Sequence, residues 1–174
     1  NDLNADALAE LFDKVGPSIL AGHSMGCTIC WRTVFRTDNV KAIVALEPGG
    51  TPFVFPEGEV PEAITALCAP IGASAMAVPM EDFLKLTKIP VVLYYGDNID
   101  VNSSHVGMNK WGTELDMAKK FVAAINRHGG DAELVELPKV GIRGNTHFLS
   151  TDLNNGEIAN LIEQWLHKKG LDKK

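Results

Sequence analysis

A chain of 174 residues that is 45% apolar and 22% charged has the size and composition of one globular domain with a single core. Its net charge of −6, with lysines gathered only at the C-terminus, argues against nucleic acid as a partner. No apolar run reaches the roughly 18 residues that a membrane helix needs, so we expect no membrane span.

The three cysteines allow at most one internal disulfide. Cys27 and Cys30 are one helical turn apart in an apolar segment, which is typical of small buried side chains, and no second ligand pair accompanies them. We therefore expect no metal and no cofactor. Because the chain starts at Asn1 without Met or a signal peptide, we expect an N-terminus produced by cleavage. The compartment stays open, with a secreted or periplasmic location favoured.

The first third of the chain alternates helix and strand. Apolar residues recur at helical spacing over 5–14, and a Gly-Pro pair ends that helix. A short apolar strand over 18–21 leads into the pentapeptide GHSMG, and residues 27–35 follow as a buried helix. The run 41–46 is continuously apolar, as expected for a strand that is covered on both faces.

The rest of the chain begins with an irregular segment. Residues 48–80 contain six of the nine prolines and show no steady period, which predicts a lid-like binding loop. A strand at 89–95, a helix at 113–127, a strand at 132–137 and a final helix at 152–168 follow. Strands that alternate with helices predict an α/β fold with a parallel sheet and helices on both faces.

The pentapeptide Gly22–Gly26 matches the G-x-S-x-G nucleophile elbow, in the strand-turn-helix context that this motif requires. Its turn is expected to hold Ser24 in a strained conformation, with no room for side chains at either glycine. The strain exposes the hydroxyl at a helix N-terminus, and the backbone N–H of Met25 is placed to donate to an oxyanion.

A serine hydroxyl needs a base to take its proton. His147 lies in the loop between the last strand and the last helix, which is the place that the chain order Ser…acid…His requires. The side chain of His23 is expected to point away from the reacting group, and His105, in a polar loop, is a candidate substrate contact. We assign His147 as the base.

The acid has three candidates, because carboxylates follow two neighbouring strands. Glu47 comes directly after one strand, and Asp97 and Asp100 come after the next. Either strand end brings a carboxylate near the imidazole, where it would fix the tautomer and stabilise the imidazolium. The pattern alone favours the aspartates.

Four segments carry a resemblance to a known group: GHSMG, ALEPGG, YYGDNID and above all GNTHFLSTDLNN. From Ser18 to Leu166 the chain resembles the 713-type bacterial esterases and their fungal relatives, which are serine esterases of the α/β-hydrolase fold. In that group the acid is a glutamate after the strand that follows the nucleophile helix, which falls on Glu47. The resemblance thus implies Ser24, His147 and Glu47 as the triad, with Asp97 or Asp100 positioning the histidine loop.

The resemblance also implies hydrolysis of a small-molecule carboxylic ester through an acyl-enzyme. The alternative is an acyl-transferring or non-catalytic protein of the same fold. Members of the fold place several strands, and a loop with a second oxyanion donor, before the elbow. We therefore expect residues 1–174 to form the C-terminal portion of one α/β-hydrolase domain. The N-terminal half of the same precursor is expected to remain bound as a second chain, and the alternative is that the chain is a fragment left by degradation.

A substrate pocket is expected from the apolar residues of the irregular segment, since it follows the acid directly. Its candidate walls over Ser24 are Phe53, Phe55, Ile71 and Met76.

Overall fold

The computed structural model describes residues 2–67 and 69–172, with the side chains of 69–71 left out. Its central sheet has four parallel strands in the order β1-β2-β7-β8. The strands are β1 (Ser18–His23), β2 (Val40–Leu46), β3 (Phe53–Pro56), β4 (Ile64–Ala66), β5 (Ala69–Ala73), β6 (Ala75–Val78), β7 (Pro90–Tyr95) and β8 (Asp131–Glu136). The helices are α1 (Asp2–Val15), α2 (Cys27–Val34), α3 (Met80–Leu86), α4 (Val106–Arg127) and α5 (Asn155–Lys168).

Helices cover both faces of this sheet, which gives it two hydrophobic cores. On one face, Phe12 of α1, Trp31 of α2 and Phe121 of α4 are buried in the larger core. On the other face, Ile158 and Trp165 of α5 are buried in the smaller one. The predicted α/β architecture with a parallel sheet and helices on both faces is confirmed.

The two-sided burial explains why the central strands read as unbroken apolar runs. In β7, Val91, Leu93 and Tyr95 face the larger core, whereas Val92 and Tyr94 face the smaller one. Because successive side chains point to opposite faces, a strand between two helical layers has no polar face to present.

The segment 48–80 differs from the irregular loop that the sequence predicted. Strand β3 pairs with β6 in parallel, and β4 pairs with β5 in an antiparallel hairpin. The rings of Phe53 and Phe55 contact Phe121 of α4, with centroids 5.4 and 6.1 Å apart. Phe53 and Phe55 are thus part of the core, and the segment consists of short paired strands.

Strand β1 lies at one edge of the sheet. Among the described residues it pairs only with β2. Helix α1 packs against α2 and leaves three large apolar side chains exposed, Leu3, Leu11 and Val15. Within the described ranges, no helix is long and apolar enough to cross a membrane.

Candidate active site

The nucleophile elbow forms where β1 meets a short 3-10 helix, Ser24–Gly26. Ser24 has φ of 54°, a left-handed conformation that non-glycine residues adopt only when the surroundings enforce it. A Cβ on Gly22 would lie 2.5 Å from the Cys30 sulfur, so that position must be glycine, as predicted. The matching expectation for Gly26 is wrong, since a Cβ there meets no described atom within 4 Å.

The Ser24 hydroxyl lies at the end of a hydrogen-bonded chain of three side chains. Its Oγ is 2.9 Å from Nε2 of His147, and Nδ1 of the same ring is 2.7 Å from Oε2 of Glu47. With Glu47 ionised, Nδ1–H donates to the carboxylate and the unprotonated Nε2 accepts from the serine. The arrangement can remove a proton from Ser24 and leave the resulting imidazolium paired with an anion.

Glu47 occupies its place through an unusual backbone conformation. It follows β2 with φ of 43°, so the chain turns sharply at the strand end and directs the carboxylate across the sheet edge. The second oxygen, Oε1, accepts the backbone N–H of Gly96 at 2.7 Å. A Cβ on Gly96 would lie 2.8 Å from that oxygen, so glycine is needed there too.

Burial governs the protonation of this pair. Glu47 is 2% exposed, and desolvation raises its pKa to about 7, although the Gly96 N–H opposes the rise. Desolvation, with a smaller contribution from His23, lowers the pKa of His147 to about 4. Burial thus favours the neutral form of Glu47 and of His147. Because the two groups are in contact, they titrate as a coupled pair.

The aspartates that the sequence pattern favoured do not contact His147. Asp97 accepts the backbone N–H groups of Gly144 and Asn145 through Oδ2, so it holds the histidine loop in place. Asp100 is exposed and accepts the backbone N–H of Asn102 in a local turn. The carboxylate at the imidazole is therefore that of Glu47.

Side-chain amides and carboxylates organise the histidine loop from within. Asn145 is fully buried, and its amide exchanges hydrogen bonds of 2.8 and 3.1 Å with that of Asn154. Asp152 accepts from the backbone N–H and the hydroxyl of Thr146, both at 2.8 Å. These contacts give the segment GNTHFLSTDLNN a structural role on both sides of His147.

Three aromatic rings surround the His147 imidazole, and the sequence analysis identified none of them as part of the site. Trp111 lies 4.1 Å away, His23 4.6 Å and Phe148 5.3 Å, measured between ring centroids. His23 also donates from Nε2 to the His147 carbonyl at 2.8 Å, so the expectation that it points away from the site is wrong. Its place within the elbow motif was the only available signal.

Three of the four predicted pocket walls, Phe53, Phe55 and Met76, make other contacts. Phe53 and Phe55 are 1% and 2% exposed within the core, and the Met76 sulfur accepts from Arg32 at 3.1 Å. His105 is exposed and caps α4 by accepting the backbone N–H of Met108. The side chain of Ile71 lies outside the described residues. The apolar character of the segment reflected packing against α4 rather than a pocket over Ser24.

Met25 is the second residue of the 3-10 helix, where backbone N–H groups have no partner within the helix. Its N–H belongs to the peptide that directly follows Ser24. The Met25 side chain is exposed and lies against Gly50 in the loop after Glu47. Among the described residues, no group of three or more His, Cys, Asp or Glu side chains could hold a metal ion.

A parallel sheet with helices on both faces, and a serine, an acid and a histidine at the carboxyl ends of its strands, defines an α/β-hydrolase-type fold. The chain is similar to a bacterial esterase of known structure, with 27% identity and a TM-score of 0.70 over 94% of this chain and 42% of that one. A thermophilic esterase from Thermogutta terrifontis shares the fold, with 17% identity and a TM-score of 0.52 over 88% of this chain and 55% of that one.

The chain is also 26% identical to a protein described as a probable secreted lipase, from Fungal sp. (strain ATCC 74256), over 187 aligned residues. That alignment takes in 95% of this chain and 50% of the relative, so the chain spans about half the length of the curated relative it matches. No protein-family model matches. The likenesses identify an esterase-like chain of the α/β-hydrolase type.

Proposed function

We propose that this chain carries the nucleophile, base and acid of a carboxylic ester hydrolase. The observation that supports the proposal best is the continuous chain from Ser24 Oγ through the His147 imidazole to Glu47, with distances of 2.9 and 2.7 Å. The likeness of the chain to proteins described as an esterase and a lipase agrees with ester hydrolysis. The substrate class is a small-molecule ester.

In the proposed reaction, His147 takes the Ser24 proton as the oxygen attacks the carbonyl carbon of the ester. The tetrahedral intermediate collapses when His147 returns the proton to the leaving alcohol, which leaves an acyl group on Ser24. A water molecule, activated by the same imidazole, then releases the acid. Glu47 keeps Nδ1 protonated and stabilises the imidazolium formed in each half-reaction.

The oxyanion of the intermediate would accept the backbone N–H of Met25. One donor leaves the charge short of a partner, a loss of about 10²- to 10³-fold in kcat where such donors have been removed. We propose that a second donor comes from residues beyond this chain, in a preceding portion of the same α/β-hydrolase domain.

We further propose that this preceding portion is bound as a second polypeptide, produced by cleavage of a common precursor. The edge strand β1 offers unpaired backbone groups of the kind that edge-on pairing uses. Leu3, Leu11 and Val15 of α1 are also exposed. A strand added next to β1 would continue the sheet.

Turnover of p-nitrophenyl butyrate by the purified native protein tests the activity. We expect a burst of one p-nitrophenol per active site if the acyl-enzyme accumulates, and added alcohol acceptors would reveal acyl transfer as a transesterified product. A folded protein with neither turnover nor burst would contradict the proposal and favour a non-catalytic role.

Intact mass and denaturing electrophoresis of the same sample, with and without reductant, test the second polypeptide. We expect a second chain that co-purifies with this one. A single species near 18.8 kDa in a fully active, monodisperse sample would contradict it.

A further inference from the structure

Helix α4 presents a tryptophan to the face of the His147 imidazole. The ring centroids of Trp111 and His147 are 4.1 Å apart and the planes are inclined by 32°, which is close to a stacked arrangement. The triad mechanism assigns Trp111 no part. Trp111 nevertheless contacts the His147 imidazole, which gains or loses a proton at each step of that mechanism.

The same helix also holds the loop that follows the acid. A Cβ on Gly49 would lie 2.6 Å from Cζ3 of Trp111, so the indole packs directly on the backbone of that loop. One turn later, Oε1 of the buried Glu114 accepts the backbone N–H of Gly50 at 2.9 Å. Trp111 thus lies between the acid-bearing loop and the imidazole, in a position fixed from its own helix.

This placement has consequences for both geometry and charge. Two hydrogen bonds restrain the imidazole in its own plane, but neither prevents it from tilting out of that plane, and the indole closes one of the two faces. The π face of tryptophan attracts a cation within about 6 Å of its centroid, and more strongly where water is excluded. Desolvation at this site opposes the imidazolium, so a π partner on the ring counteracts part of that penalty.

We propose that Trp111 is a positioning residue: its indole holds the His147 imidazole in line between Ser24 and Glu47 and stabilises the imidazolium that forms as Ser24 loses its proton. This inference rests on the proposed ester hydrolysis. It assigns Trp111 an effect on kcat rather than on substrate affinity, since the imidazolium exists only along the reaction path.

Trp111→Leu and Trp111→Phe, made in the full-length gene, test the inference. Leucine keeps apolar cover without a π face, and phenylalanine keeps a smaller π face. With p-nitrophenyl butyrate we expect kcat to fall about 10-fold in Trp111→Leu, with KM within about threefold of wild type. Trp111→Phe is expected to recover kcat to within about threefold of wild type.

Trp165→Phe is the matched control, because Trp165 is a buried tryptophan on the opposite face of the sheet, whereas Trp111 is a partly buried one that packs against the larger core. We expect it to lower the melting temperature and leave kcat unchanged. Wild-type kcat in Trp111→Leu, or an equal fall in Trp165→Phe, would overturn the inference.

NMR titration of the His147 Cε1–H resonance provides a readout that does not depend on turnover. We expect the midpoint in Trp111→Leu to fall by about one pH unit, and the midpoint in Trp111→Phe to stay near wild type. A rise toward 6.5 would mean that Trp111 only shields the ring from water, and would overturn the inference. If the wild-type protein hydrolyses no ester, the proposed function fails, whereas this titration still decides the role of Trp111.

Discussion

Two regions of the chain serve different purposes. The first comprises the loops directly after β1 and β2, and the second is the segment 51–78, which continues from the loop after β2. In the first region, strained backbone at Ser24 and Glu47 directs polar side chains toward His147. In the second, Phe53 and Phe55 turn inward and pack on α4. Strained polar residues at strand ends indicate a site, whereas apolar residues in a proline-rich segment indicate a core.

The sharpest test of this contrast is removal of the proposed reacting groups. Ser24→Ala and His147→Ala should each lower kcat by roughly 10⁴-fold or more, because nucleophile and base act as one unit. The melting temperature should change little, since neither side chain is in a hydrophobic core. Ester hydrolysis kinetics with thermal melts measure both quantities. An active, normally folded His147→Ala would refute the assignment.

A second test separates the acid from the carboxylate that supports its loop. Glu47→Gln should lower kcat about 10³- to 10⁴-fold, because a neutral amide neither fixes the required tautomer nor pairs with the imidazolium. The matched variant Asp97→Asn should cost about 10-fold or less, since its side-chain oxygen can still accept from Gly144. If Asp97→Asn or Asp100→Asn were the crippling change, Glu47 would not be the acid.

The core side of the comparison predicts a change in stability without a change in chemistry. Phe53→Ala should lower the free energy of unfolding by about 3–5 kcal/mol, because it leaves a cavity against Phe121. At temperatures where the variant is folded, kcat should stay within a few-fold of wild type. Val140→Ala, at an exposed residue after β8, is the surface control and should cost under about 0.5 kcal/mol. If Phe53→Ala instead raised KM and left the stability unchanged, Phe53 would be part of a substrate pocket.

The smallest expected effect is a gradual one with pH. The active form needs neutral His147 and ionised Glu47. The pKa of Glu47 is raised to about 7 and that of His147 is lowered to about 4. Since acid adds a proton to the pair, kcat/KM should level off about one pH unit above the raised pKa of Glu47 and fall as the pH drops from there toward 4.

Residual activity in Glu47→Gln sharpens the same test, because the proton on the pair is then held by His147 alone. The midpoint should move toward lower pH. If the midpoint of the pH profile moved upward instead, the higher of the two pKa values would not belong to Glu47.

The sequence predicted the elements of the central sheet well because each depends on a local pattern. The apolar runs before Glu47 and Asp97 are buried strands, and the run before Ser24 is the partly buried edge strand. The elbow glycine Gly22 has a close contact with Cys30. The choice of Glu47 over the aspartates came from the family resemblance. No local pattern distinguishes carboxylates on neighbouring strands, since the decision lies in the backbone turn at Glu47 and in the N–H of Gly96.

Most of the contacts that the sequence did not reveal join distant parts of the chain. Trp111 reaches His147 from α4, and His23 reaches the His147 carbonyl across 124 residues. The pairing of β3 with β6 likewise depends on α4 as a surface to pack against. Composition describes such a segment as irregular until its partner helix is known.

Labelling with a fluorophosphonate probe, followed by peptide mapping, is the most direct test of the central claim that Ser24 is an activated nucleophile. We expect one phosphonyl group per chain on Ser24, no labelling of Ser24→Ala, and labelling slowed at least about 100-fold in His147→Ala. A folded wild-type protein that remains unlabelled, or one that is labelled at another residue, would contradict it.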